Sequence, residues 1–154
     1  MVVREAGLLF RGFTLVKKTF HKSDKEEIDQ DLRSGLLTAI ISFAQTAISK
    51  DSIEYFEGKK YIITFVEDKI TAEDSFEPEI IISYSILDKE RKVEKYIKKI
   101  IHPRLKQIID EFKSMNSGKN LSEISRFRGF KQNLESIFGT DTQTVDQKLK
   151  GVFS

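Results

Sequence analysis

Side chains suited to catalysis or metal binding are scarce in this chain. It has two histidines, His21 and His102, and no cysteine. Imidazole is the usual proton carrier near neutral pH, and a thiolate is the usual strong nucleophile and soft metal ligand. A chain without Cys has no disulfide, no thiolate zinc site and no cysteine nucleophile, which suits a cytoplasmic protein. The two histidines fall in different elements, with no carboxylate at ligand spacing from either. His102 precedes Pro103 and reads as a surface residue beside a kink rather than a base. The densest run of carboxylates is Glu67, Asp68, Glu73, Asp74, Glu77 and Glu79. A calcium loop needs regularly spaced oxygen ligands around a central glycine. This run lacks that pattern and reads as a solvated acidic loop.

Phosphate loops, dinucleotide folds, zincins and serine hydrolases each need a short motif for a mechanical reason. Glycines let the backbone approach a phosphate, paired histidines face a metal, or a strained elbow exposes a serine. None of these motifs is present. Gly12 and Gly58 are explained as turn residues. The expectation is a protein that is not an enzyme and holds no cofactor and no metal.

The elements that position the surface follow from periodicity. In 154 residues of 39% hydrophobic and 32% charged composition, one domain with its own core is the natural organisation. Residues 5–20 read as two short strands joined by a hairpin about Arg11-Gly12-Phe13-Thr14. Residues 28–48 have a helical period: Ile28, Leu32, Leu36, Ile40, Phe43 and Ala47, widened by Leu37, Ile41, Ala44 and Ile48. So wide an apolar arc, with small residues inside it, suits a helix flat against a sheet. Strands follow at 52–56, 61–66 and 80–87, the first two joined by the turn Glu57-Gly58-Lys59-Lys60. The acidic stretch 67–79, with Pro78, reads as a loop.

After Asp88 the helical period returns. Val93, Tyr96, Ile97, Ile100, Ile101, Leu105, Ile108, Ile109 and Phe112 mark one face. Because the apolar phase runs through Pro103, the segment reads as a kinked helix or two abutting ones. A further helix is expected over 121–138, presenting Ile124, Phe127, Phe130, Leu134 and Ile137 and closed by Gly139. The tail from Asp141 could supply a last short helix.

The net charge of +2 hides an asymmetry. Residues 1–78 carry 11 Lys and Arg against 14 Asp and Glu, and residues 79–154 carry 15 against 10. The positive charge lies mainly on the expected C-terminal helices. Lys95, Lys98, Lys99, Arg104, Arg126 and Arg128 are candidates for contact with an anionic surface. Nucleic acid is not the expected partner: only Arg126-Phe127-Arg128-Gly129-Phe130-Lys131 interleaves basic and aromatic residues, and its phenylalanines fall in phase with a core face. No stretch has the roughly 18 to 20 apolar residues of a membrane span, and charges interrupt the first twenty residues. Any membrane contact would be peripheral.

The order of elements, strand-strand-helix-three strands-helices, resembles the longin domain and its roadblock relatives. Gly7-Leu8-Leu9-Phe10 with Gly12-Phe13 is similar to the opening hairpin of such domains. Asp31-Leu32-Arg33-Ser34-Gly35-Leu36-Leu37-Thr38-Ala39-Ile40-Ile41-Ser42-Phe43-Ala44 looks like the first helix of longin-like proteins of archaea and of trafficking machinery. Ile53-Glu54-Tyr55-Phe56 and Lys60-Tyr61-Ile62-Ile63 fit the third and fourth strands.

The resemblance implies an α+β fold, an α-β-α sandwich around a five-stranded antiparallel-type sheet of order 2-1-5-4-3. One helix would cover one face and the C-terminal helices the other. Residues 1–115 would form the longin-like domain, and 116–154 a helical C-terminal extension packed on it. Such domains are non-catalytic adaptors in vesicle-trafficking-like or small-GTPase-regulatory assemblies. Their partners are a second copy (a homodimer), a small GTPase or a SNARE-like segment. By position in the topology, the partner surface would be the third strand and the flank of the first helix: Leu37, Ile41, Ile48, Ile53 and Tyr55. The alternative is a basic adaptor that binds anionic membrane or nucleic acid through the C-terminal helices.

Overall fold

The computed structural model describes residues 3–20, 55–57 (as backbone), 61–91 and 93–139. The expected helix over 28–48, the turn at Gly58 and the tail from Asp141 lie outside the described residues, as does His21.

The architecture is α+β. Four long strands, β1 (Val3–Phe10), β2 (Phe13–Thr19), β4 (Tyr61–Ile70) and β5 (Glu79–Asp88), make an antiparallel sheet. The three-residue β3 (Tyr55–Glu57) pairs with β4 and extends it, giving the order β2-β1-β5-β4-β3. Period-2 alternation sorts the side chains onto two faces. Ala6, Leu8 and Phe10 of β1 join Ile62 of β4 and Ile81 and Leu87 of β5 on the first face. Leu9, Ile63, Phe65, Ile82, Tyr84 and Ile86 form a separate buried cluster on the second.

The first face is covered by helix. The segment starts as α1 (Val93–Tyr96), widens into a π-helical turn (Ile97–Ile101) and continues as α2 (His102–Asn116). The expected kink at Pro103 takes this form for a physical reason. Proline lacks an N–H and its ring crowds the carbonyl one turn back. The chain widens just before it: the His102 N–H donates to the Ile97 carbonyl, five residues back, and Pro103 then sits in the first turn of α2. Helical direction is kept, so Val93, Ile97, Ile101, Leu105, Ile108, Ile109 and Phe112 share one buried face. Burying each such side chain is worth about 1.5–3 kcal/mol. Ser83 Oγ ties sheet to helix by donating to the Leu105 carbonyl at 2.8 Å, and within the sheet the Thr64 and Ser85 hydroxyls of β4 and β5 meet at 2.6 Å.

The segment after α2 departs from the expected single helix over 121–138. It is a 3-10 helix (Ile124–Phe130) followed by α3 (Lys131–Phe138). The tighter 3-10 winding stacks residues three apart, which turns Phe127 and Phe130 together onto Phe112 at ring-centroid distances of 5.2 and 5.3 Å. Leu134 and Phe138 continue the contact, and Phe138 reaches Phe20 of the strand layer at 6.4 Å. Residues 121–138 therefore share one core with the strands. Ile124, expected on that buried face, is instead exposed at the start of the 3-10 helix.

The acidic stretch also differs from expectation. β4 runs on through Glu67, Asp68 and Lys69 to Ile70, paired with Ile82, Ile81, Ile80 and Glu79. The strand extends because Ile70 is buried (2% exposed) while Glu67 and Lys69 face solvent, an alternation the charges disguise. Only 71–78 is a loop.

Candidate interaction surface

One end of the sheet collects the β1–β2 turn, loop 71–78 and the connection from α2 to the 3-10 helix. The turn is two residues long, Arg11 and Gly12, with φ values of 51° and 79°. Both are left-handed, as a type I′ hairpin requires. Glycine takes that conformation freely, whereas arginine is uncommon there.

Arg11 is held from outside the turn. Its Nε donates to Glu79 Oε1 at 2.8 Å and its Nη2 to Glu79 Oε2. Nη1 and Nη2 donate to the two oxygens of Asp74 at 3.2 and 3.0 Å. The same guanidinium lies over the Phe10 ring, 4.8 Å from its centroid. Paired, planar hydrogen bonds of this kind are what guanidinium geometry favours. The hydrogen bonds from Arg11 hold the Asp74 and Glu79 carboxyls below the usual carboxylate range. Bonding to Glu79, then to Asp74, raises the Arg11 guanidinium above its ordinary value.

Glu79 also accepts from Ser75 Oγ, which itself accepts from the Ala72 N–H at 2.9 Å. Loop 71–78 is thus fastened at its base to the hairpin tip. It is fastened on the other side to the end of α2. Gly118, at φ 78°, turns the chain out of the helix, and its N–H donates to the Thr71 carbonyl at 2.7 Å. The Glu73 N–H donates to the Lys119 carbonyl at 2.9 Å.

On this braced platform the apolar side chains stand in solvent. Among the described residues the exposed large apolar side chains are Phe13, Phe76, Ile80, Met115 and Ile124; their elements end or begin here, with Ile80 on the sheet face of Ile82 and Tyr84, opposite the helices. Phe13 is 63% exposed and Phe76, mid-loop, is wholly so. Beside Phe13 a surface pocket of about 320 Å³ is lined by Phe10, Arg11, Phe13, Leu15, Leu121, Ser122 and Ile124. Clustered exposed apolar groups with a polar rim are the usual mark of a contact surface.

Leu37, Ile41, Ile48 and Ile53 fall outside the described residues. Tyr55 is on β3, in register with Thr64 of β4. Lys95, Lys98 and Lys99 are exposed on α1 and the π turn, while Arg104 is half-buried in α2. Arg126 and Arg128 are exposed on the 3-10 helix, an element that starts at the hairpin end, away from α1. The two basic groups are therefore not brought onto one element. His102 is half-buried. No group of three or more His, Asp or Glu suited to a metal occurs among the described residues. No helix there is long and apolar enough to cross a membrane.

A second polar cluster lies inside the fold. Glu5, only 4% exposed, accepts from the Tyr84 hydroxyl at 2.7 Å and from Thr19 Oγ1 at 3.4 Å. Tyr84 is buried and Thr19 lies exposed at the end of β2, so Glu5 ties β1 to β2 and β5.

Neither a comparison with protein-family models nor a search of curated proteins finds a match to the chain.

Proposed function

We propose that the chain is a non-catalytic protein–protein interaction module of longin-like type, serving a vesicle-trafficking-like or small-GTPase-regulatory assembly. The observation that carries this reading is the apolar end of the sheet. Phe13, Phe76, Ile80, Met115 and Ile124 are each exposed at this end, and Phe13 and Ile124 line one pocket with Arg11, which braces Asp74 and Glu79. Leaving such side chains in water is unfavourable, and a partner that covers them recovers that free energy. The strand order β2-β1-β5-β4-β3 supports the longin-like part of the reading. So does the short edge strand β3, since a strand at a sheet edge offers unpaired backbone groups to a partner.

Two surfaces are proposed: the apolar end, and the β3 edge, where a longin-like topology would set Leu37, Ile41, Ile48 and Ile53 beside Tyr55. The partner is a second copy, a small GTPase or a SNARE-like segment. Light scattering for self-assembly, combined with capture from extract of the native cell, tests the reading. Assembly that weakens on Ile124→Asp assigns the apolar end, and assembly that weakens on Tyr55→Arg assigns the β3 edge. A strict monomer that captures nothing opposes both.

The second reading, a basic adaptor for anionic membrane or nucleic acid, draws on the exposure of Lys95, Lys98, Lys99, Arg126 and Arg128. It requires liposome or oligonucleotide binding that falls steeply with salt. No binding at low salt ends it.

A further inference from the structure

We propose that the apolar end takes a short basic peptide segment, with an apolar anchor seated in the Phe10–Ile124 pocket and Lys or Arg side chains against the acidic rim. This inference rests on the interaction reading and names the chemistry of the partner.

The pocket sets the size of the anchor. At about 320 Å³ it lies at the lower bound of ligand sites, which run from about 300 to 1,000 Å³. It has room for a single large side chain and not for the face of a folded domain. Five of its seven lining residues, Phe10, Phe13, Leu15, Leu121 and Ile124, are apolar, with Arg11 and Ser122 completing it, so that side chain is apolar.

The rim sets the charge. Loop 71–78 carries Glu73, Asp74 and Glu77 and no Lys or Arg, with Glu79 just after it; Arg11, which lines the pocket, reaches Asp74 and Glu79, while Lys69 and Lys119 lie on neighbouring segments. Arg11 is one cation shared between two carboxylates, Asp74 and Glu79, so that trio keeps an excess negative charge. Glu73 and Glu77 are exposed on either side of the fully exposed Phe76. The loop beside the pocket is thus acidic in a chain whose net charge is +2. A rim of that sign draws in cationic segments and repels acidic ones.

The test is selection of a random linear peptide library, displayed on phage, against the full chain. Enriched peptides are expected to pair an aromatic or aliphatic residue with flanking Lys or Arg. As synthetic peptides they should bind at least about tenfold more weakly to Ile124→Asp, or to Phe13→Ser as a milder second variant. They should also weaken several-fold on Glu73→Gln with Glu77→Gln, and on raising salt from about 0.05 M to about 0.5 M. Circular dichroism checks that the variants are folded. Enriched peptides that are acidic or uncharged, or indifferent to Glu73 and Glu77, overturn the basic segment. If those peptides still need Ile124, the interaction reading survives. Failure to enrich any Ile124-dependent peptide overturns the peptide proposal. Light scattering then tests the broader reading separately: a dimer lost on Ile124→Asp makes this end a self-interface.

Discussion

Arg11 clasps Glu79 through two of its guanidinium nitrogens, across 68 positions of sequence. The pair joins the tip of the β1–β2 hairpin to the first residue of β5. It also explains why an arginine occupies a left-handed turn position that asparagine would fill more easily. The side chain is needed beyond the turn, where it also holds Asp74 at the edge of the acidic loop.

This clasp has a pH signature. Asp74 and Glu79 are held below their ordinary carboxyl values, chiefly by hydrogen bonds from Arg11. A carboxyl depressed in the folded state stabilises above its unfolded value, about 3.9 for Asp and 4.3 for Glu, and loses that as pH falls through its folded value. Thermal melts of the wild type should therefore drop more steeply below about pH 4 than those of Asp74→Asn with Glu79→Gln. Arg11→Asn, which suits the turn but cannot clasp, should behave like the double variant. Parallel curves for all three would show that the clasp contributes nothing.

Gly7 is fixed by a close approach. A Cβ there would lie 2.7 Å from the Val16 carbonyl oxygen and 2.8 Å from the Tyr84 ring. Backbone on one side and a buried ring on the other leave no easy relief. Gly7→Ala should destabilise by about 1–3 kcal/mol in chemical denaturation, the usual range for overpacking. An unchanged midpoint would mean that Tyr84 can move aside.

Tyr84→Phe keeps the ring and removes the hydroxyl that donates to Glu5 at 2.7 Å. Because Glu5 is buried, the loss should cost about 1–3 kcal/mol, far more than an exposed hydroxyl would. The same denaturation series measures it, and a change within experimental error would place the burden of Glu5 on its other contacts.

Phe13→Asp and Ile124→Asp should separate stability from assembly. Both side chains are exposed, so each substitution should shift stability by no more than about 0.5 kcal/mol. Assembly through the apolar end should weaken by about tenfold or more. A large loss of stability with unchanged assembly would give these residues a folding role instead.

Much of the fold follows from pattern, and the exceptions share a cause. The hairpin about Arg11 and Gly12 was legible because turn chemistry is local. The passage of a helical segment through Pro103 was legible because the apolar phase never breaks, although phase alone does not distinguish a π turn from a kink. The end of β4 was hidden: Glu67, Asp68 and Lys69 look like loop, and only Ile70 signals the continuing alternation. The 3-10 helix was hidden too, since Ile124, Phe127 and Phe130 fit either winding. The apolar surface was least legible of all. Phe13 and Ile124 resemble core residues in sequence, and their exposure depends on where the hairpin and the 3-10 helix meet. Phe76 in an acidic run beside Pro78 was the one local clue.

The central claim is that this chain works by contact with another protein through a defined surface. The direct measurement is quantitative capture from extract of the native cell by wild type, Ile124→Asp and Tyr55→Arg, with light scattering of each. The account predicts a saturable partner, or self-association, that at least one of the two variants loses while remaining folded. A strict monomer whose captured proteins are the same for all three chains would contradict it.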